Sequence, residues 1–124
     1  YAELLREKIN KFNVPAYLVN TGWIGASAES GAKRISLPIT RKIIYSILDG
    51  TINKSDFELD PYFGVEVPTK LHDIDSDILI SSKAWSSKED YIKIAESLVE
   101  KFQNNFREYN IADENIRNAG PKLI

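Results

Sequence analysis

Apolar residues recur at helical spacing in three stretches of this chain and run together or alternate in two others. Ala2, Leu5, Ile9 and Phe12 fall on one stripe, with Glu3, Arg6, Lys8 and Lys11 around the remainder, so residues 2–13 are predicted to form an amphipathic helix. Asn13 and Pro15 stop it. Ala16, Tyr17, Leu18 and Val19 are continuously apolar, the pattern of a short buried strand. Residues 20–34 are rich in Gly, Ser and Ala without apolar periodicity and read as a loop. Loops of that length tend to serve function. A brief extended stretch is expected at Arg34, Ile35 and Ser36. Pro38 then suits the start of a second helix, because its missing N–H would be unpaired there in any case. Ile43, Ile44, Ile47 and Leu48 would form that helix's buried face, and Asp49 and Gly50 would end it.

Residues 51–61 read as a connection, with Phe57 and Leu59 touching the core. Residues 63–67 alternate as a strand would, closed by Pro68, and residues 69–85 are expected to be mostly irregular. The last long helix is predicted over about 87–109, opened by Ser87 in a capping box that carries Asp90 where Glu is usual. Tyr91, Ala95, Leu98, Phe102 and Phe106 make its stripe. Trp23 and Trp85 are expected in the core, and a short helical piece follows near 113–118. A helix followed by a short buried strand is α/β grammar, so the fold class is α/β, with a small mixed sheet and flanking helices in a single unit spanning 1–124.

Composition narrows the function classes. A chain of 124 residues with 43% hydrophobic and 27% charged content has room for one core. No apolar run reaches the roughly 20 residues of a membrane span. The net charge of -2 gives no long-range attraction to phosphate backbones, so neither a membrane nor nucleic acid is an expected partner. Without Cys there is no disulfide framework, zinc ribbon or thiol nucleophile, which fits a cytosolic chain. There is no Met either, so a chain opening at Tyr1 is expected to be a processed product or an excised domain.

Several patterns invite chemistry. Gly25 to Lys33 resembles a phosphate loop, but the spacing of its glycines is wrong and Arg34 stands where a metal-binding hydroxyl is required. Asp73, Asp75 and Asp77 lack the central Gly and final Glu of a calcium loop, and read as a solvated acidic stretch. His72, the one His, has no evident nucleophile beside it and reads as a surface residue. Lys33, Arg34, Arg41 and Lys42 form the one basic cluster. A solvated surface accounts for it. So does an anion site, since the cluster sits where a loop meets a helix N-terminus. In that case Arg34 offers a planar fork of donors and Thr40 a hydroxyl one turn into the helix.

Longer stretches carry a family likeness. Residues 17–23, then a Gly-containing loop, Lys33 to Ser36, Thr40 and Arg41, Ile43 and Ile44, Leu48 to Gly50, residues 60–69, Phe102, Asn105 and Phe106, and the closing residues 119–123 together resemble the C-terminal part of ATP-dependent phosphoenolpyruvate carboxykinase. The matching segments run in family order over nearly the whole chain. The loop from Ala26 to Ala32 is variable in that family, and residues 79–85 lack the Pro-Arg-Asn-Thr expected ahead of Trp85, so no role is carried over to either.

The resemblance implies a portion of that fold's C-terminal, nucleotide-binding lobe, belonging to a cytoplasmic and monomeric parent. That parent converts oxaloacetate and ATP to phosphoenolpyruvate, CO₂ and ADP in gluconeogenesis, using Mg²⁺ and Mn²⁺. It assigns nucleotide contacts to Arg34, Ile35 and Thr40: hydrogen bonds and a flat guanidinium from Arg34, an apolar wall from Ile35, a hydroxyl from Thr40. It places the catalytic groups and metal ligands upstream of Tyr1, so the fragment alone is expected to be inactive. Apolar surface at Ile43, Ile44 and residues 17–19, if left uncovered, would favour self-association. The alternative is a stand-alone α/β ligand-binding or interaction module that shares only the architecture.

Overall fold

The computed structural model describes residues 2–27, 30–111 and 113–124; Tyr1, Ala28, Glu29, Ala112 and the Ala2 side chain of the first stripe lie outside the described residues. The chain runs through α1 (Ala2–Phe12), β1 (Trp23–Ile24), β2 (Lys33–Arg34), α2 (Leu37–Leu48), a 3₁₀ turn (Thr51–Lys54), β3 (Phe57–Leu59) and β4 (Glu66–Pro68). It continues through α3 (Ser76–Leu79), a second 3₁₀ turn (Ser81–Ala84), α4 (Lys88–Phe106) and α5 (Glu114–Asn118). Helices with small sheets are compatible with the α/β class. In place of one mixed sheet, however, there are two separate antiparallel pairs, β1 with β2 and β3 with β4.

The helices start and stop where their chemistry requires. Ser87 accepts a hydrogen bond from the Asp90 amide at 3.1 Å, one half of the expected capping box, while its hydroxyl faces the Glu89 carboxylate at 3.3 Å. Pro38 lies in the first turn of α2, and Gly50, at φ 77°, takes the left-handed position beyond its end. Asp113 caps α5 by accepting from the Asn115 and Ile116 amides, and also receives Arg6 of α1, tying the first helix to the last.

Two small clusters hold the core. Ile52, Leu71 and Ile74 form one, against which Tyr17, Ile39, Ile43 and Ile47 pack. Tyr62, Ala95 and Val99 form the other, with Phe63 and Tyr91 beside them. Trp85, expected in the core, is partly buried outside both clusters and meets Tyr91 edge-on at 6.1 Å. The end of the chain is tied down at the second cluster: the Lys122 amide donates to the Tyr62 carbonyl at 2.8 Å, and Gln103 donates to the Pro121 carbonyl at 3.0 Å.

Several expectations need correction. Residues 16–19 form no strand, and Leu18 is 93% exposed. An apolar run supplies affinity for other apolar groups but no ladder partner, and here only Tyr17 turns inward, its hydroxyl donating to Asn53 at 2.7 Å. On α2 the inward positions are Ile39, Ile43 and Ile47, each one turn apart. Ile44 and Leu48 are rotated about 100° from them and point outward. The α4 seam runs through Tyr91, Ala95 and Val99, so Leu98, Phe102 and Phe106 of the expected stripe lie outside it and stay partly exposed.

Trp23 is also exposed rather than in the core. The strand expected at 63–67 is shifted to Glu66–Pro68, because Asp60 accepts the Tyr62 and Phe63 amides and folds that segment into a turn. Its partner, Phe57–Leu59, lies in what reads as a connection. Residues 69–85, expected to be irregular, carry α3, the second 3₁₀ turn and three buried side chains, Leu71, Ile74 and Ile80.

Gly25 fixes how the loop after β1 meets the rest of the chain. Its φ is 78°, and a Cβ there would lie 2.7 Å from the Ala84 carbonyl oxygen. Gly25→Ala is therefore expected to destabilise the chain by at least about 1 kcal/mol, read as a lower urea midpoint; an unchanged midpoint would contradict the close approach. The α4 seam makes a paired prediction. Val99→Ala should cost about 1–3 kcal/mol, whereas Leu98→Ala, on the exposed side, should cost under about 1 kcal/mol. Reversal of that order in denaturant titrations would put the seam on the other face.

The Asp113 carboxyl is held below its usual range, first by the Arg6 hydrogen bond and further by the Asn115 and Ile116 amides; that of Asp49 is lowered by the Thr51 amide and hydroxyl. A carboxyl with a depressed folded-state pKa contributes stability that is present above its unfolded value. That contribution is lost as pH falls through the folded value. Melting temperature should thus decline below about pH 4, with a shallower decline in Asp113→Asn. Because these groups are exposed, salt should weaken the difference.

Candidate functional site

The stretch from Gly22 to Thr40 is organised by a very short antiparallel ribbon. Trp23 pairs with Arg34 and Ile24 with Lys33, and the Ile35 amide extends the pairing by donating to the Gly22 carbonyl at 3.1 Å. Successive side chains on a strand point to opposite faces, so the ribbon sorts its residues. Ile24 and Lys33 face an open cleft that also carries Gly25, Asp77 and Ala84. Trp23 and Arg34 occupy the other face, where the Arg34 guanidinium lies over the indole ring at 5.5 Å from its centroid.

The ribbon passes into α2 with almost no linker. Ile35, half-buried, and Ser36 are the two residues between β2 and the helix, and the Thr40 amide makes the helical bond to the Ser36 carbonyl at 3.0 Å. The Ser36 hydroxyl makes no capping bond, so the first turn of α2 has no side-chain cap. Arg34, Ile35 and Thr40 therefore stand at the end of β2, in the link and in the first turn of α2. Among the described residues, no hydrogen bond or ion pair engages the Arg34 side chain or the Thr40 hydroxyl, and none joins the two. The set offers guanidinium donors, an apolar side chain and a hydroxyl.

The basic cluster does not stay together. Lys33 turns to the cleft, and Lys42 turns away to Asp73, 3.5 Å from its carboxylate. Asp73 also meets His72 Nδ1 at 3.2 Å, and Asp75 caps α3 by accepting the Asp77 amide, so two of the three acidic residues have structural employment. His72 is a surface residue, as expected. A second open cleft is lined by Thr69, Lys70, His72, Ile74 and Lys83, and neither cleft is lined by Arg34, Ile35 or Thr40. Among the described residues, no three His, Asp or Glu side chains converge as metal ligands. Sequence reasoning missed Trp23 as the partner of Arg34. Its signal was its place, an aromatic between two glycines in a loop with no apolar period.

Comparison with known proteins supplies the rest. The sequence model of the phosphoenolpyruvate carboxykinase family matches residues 1–77. Relatives named phosphoenolpyruvate carboxykinase (ATP) match further: that of Caldanaerobacter subterraneus subsp. tengcongensis is 42% identical over 122 residues, covering 98% of this chain and 23% of the relative. The Leptospira biflexa protein is 47% identical over 109 residues, 88% of this chain and 20% of its own length. The Oceanobacillus iheyensis protein is 38% identical over 121 residues, 98% of this chain and 23% of its own. This chain thus spans less than a quarter of the length of each of these relatives. Sequence matched across this extent establishes that the chain belongs to the ATP-dependent phosphoenolpyruvate carboxykinase family.

Proposed function

We propose that this chain supplies the adenine-nucleotide contacts of a longer, cytoplasmic enzyme, part of its nucleotide-binding lobe, that converts oxaloacetate and ATP to phosphoenolpyruvate, CO₂ and ADP. The observation that carries this reading is the Arg34 side chain, fixed on a ribbon that leads directly into α2 yet free of protein hydrogen bonds among the described residues. Its N–H groups are available to a ligand, Ile35 offers an apolar side chain for a base, and Thr40 offers a hydroxyl to the base or ribose. Among the described residues, no three His, Asp or Glu side chains converge as a Mg²⁺ or Mn²⁺ site would require. Phosphoryl transfer depends on positioned phosphates and metals acting as a unit, so the chain contributes binding and orientation rather than the transfer itself.

Exposed apolar residues support a part played within something larger. Leu18, Leu37, Tyr45 and Leu48 are all mostly in solvent, and the relatives carry more than three-quarters of their length beyond the matched segment. Surface of this kind, left uncovered, would also promote self-association of the isolated chain. The reading that the chain shares only an architecture with other α/β proteins is not favoured by any observation here, since the likeness lies in the sequence itself.

Arg34→Ala in the longer enzyme should raise the KM for ATP about tenfold, the loss of one or two charge-assisted hydrogen bonds, while kcat stays within about twofold. Steady-state kinetics with varied ATP measure both. A fall confined to kcat, with ATP binding untouched, would remove Arg34 from the nucleotide site.

A further inference from the structure

We infer that Trp23 is a positioning residue for Arg34, holding its guanidinium in place before any ligand arrives; this role rests on the nucleotide reading of Arg34. Trp23 is 52% exposed, although a Trp buries more apolar surface than any other residue when it can. The aromatic contacts of the described residues join Tyr62, Phe63, Trp85, Tyr91, Phe102, Phe106 and Tyr109 to one another, and Trp23 takes part in none of them. Among the described residues it meets Arg34, directly opposite on the ribbon, with the guanidinium carbon 5.5 Å from the ring centroid. Residues directly opposite in an antiparallel pair share a face, so the contact follows from the register.

A guanidinium seated with its flat face on an aromatic ring keeps its N–H donors, which lie around the edge in the plane of the group, clear of that ring. The indole can therefore order the Arg34 side chain without consuming the hydrogen bonds that a ligand would take. An unrestrained Arg loses much rotamer freedom when it binds, and a side chain already held in one orientation loses less. No charged partner performs this task, since no ion pair engages Arg34 among the described residues. An acidic partner would hold the side chain too, but by occupying the donors and cancelling the charge.

The test uses two readouts. In the 124-residue chain, the Arg34 Nε–H resonance should carry a ring-current shift and restricted motion, both lost in Trp23→Leu and retained in Trp23→Phe. Circular dichroism should be the same for all three proteins, because the replaced side chain is half in solvent. In the longer enzyme, Trp23→Leu should weaken ATP binding by roughly two- to fivefold, Trp23→Phe should restore most of the affinity, and Trp23→Leu should add nothing in an Arg34→Ala background. An Arg34 resonance indifferent to Trp23→Leu, or additive losses in the double variant, would overturn the positioning role while leaving the nucleotide reading intact. Unchanged ATP affinity in Arg34→Ala would overturn the nucleotide reading itself, and the positioning role with it.

Discussion

Two residue pairs and one further amide bond hold residues 22–24 against 33–35, and the candidate site depends on that register. A slip of one residue would exchange the faces of the ribbon, sending Arg34 toward the cleft at Ala84 and Lys33 toward Trp23. So short a ribbon is marginal by itself in water. It is braced at one end by Gly25, whose lack of a Cβ admits the Ala84 carbonyl, and at the other by the immediate start of α2. Between the two strands, the Ser27 and Ser30 hydroxyls are 2.7 Å apart. The site is thus a consequence of backbone constraints on either side of it. It does not rest on a packed pocket.

That arrangement separates support from recognition. Ile39, Ile43 and Ile47 anchor α2 on the cluster around Ile52, Leu71 and Ile74, and so fix the direction in which its first turn faces. Arg34, Ile35 and Thr40 make no demand on that core and remain open to a ligand. Lys42, one helical step beyond Arg41, is drawn off to Asp73 and leaves the basic character of this end to its neighbours. Among the described residues, no cluster of three His, Asp or Glu side chains lies near these groups. Such a division suits a portion of a larger enzyme.

Much of this was legible in the sequence, and the failures share a cause. Helix ends were readable because their determinants are local: Pro38, Gly50 and Ser87 act on the backbone immediately beside them. The family likeness was readable because it rests on the order of segments rather than on folding. What the pattern could not supply was the partner of each apolar group. Residues 16–19 look like a strand but have nothing to pair with, and Leu71, Ile74 and Ile80 look like loop residues but are buried by elements distant in sequence. Ile44 and Leu48 differ from Ile43 and Ile47 by one position, a rotation that periodicity alone does not orient. Trp23 was assigned to the core because aromatics usually are, and only the ribbon register reveals what it touches.

The central claim is that a nucleotide sits at the Arg34 end of α2. A crystal structure of the longer enzyme carrying this chain, with a non-hydrolysable ATP analogue, tests it most directly. The account predicts the base against Ile35, the Arg34 N–H groups on the nucleotide with the guanidinium still over Trp23, and the Thr40 hydroxyl within hydrogen-bonding distance. A nucleotide seated in the cleft between Thr69 and Lys83, with Arg34 left in solvent, would contradict it.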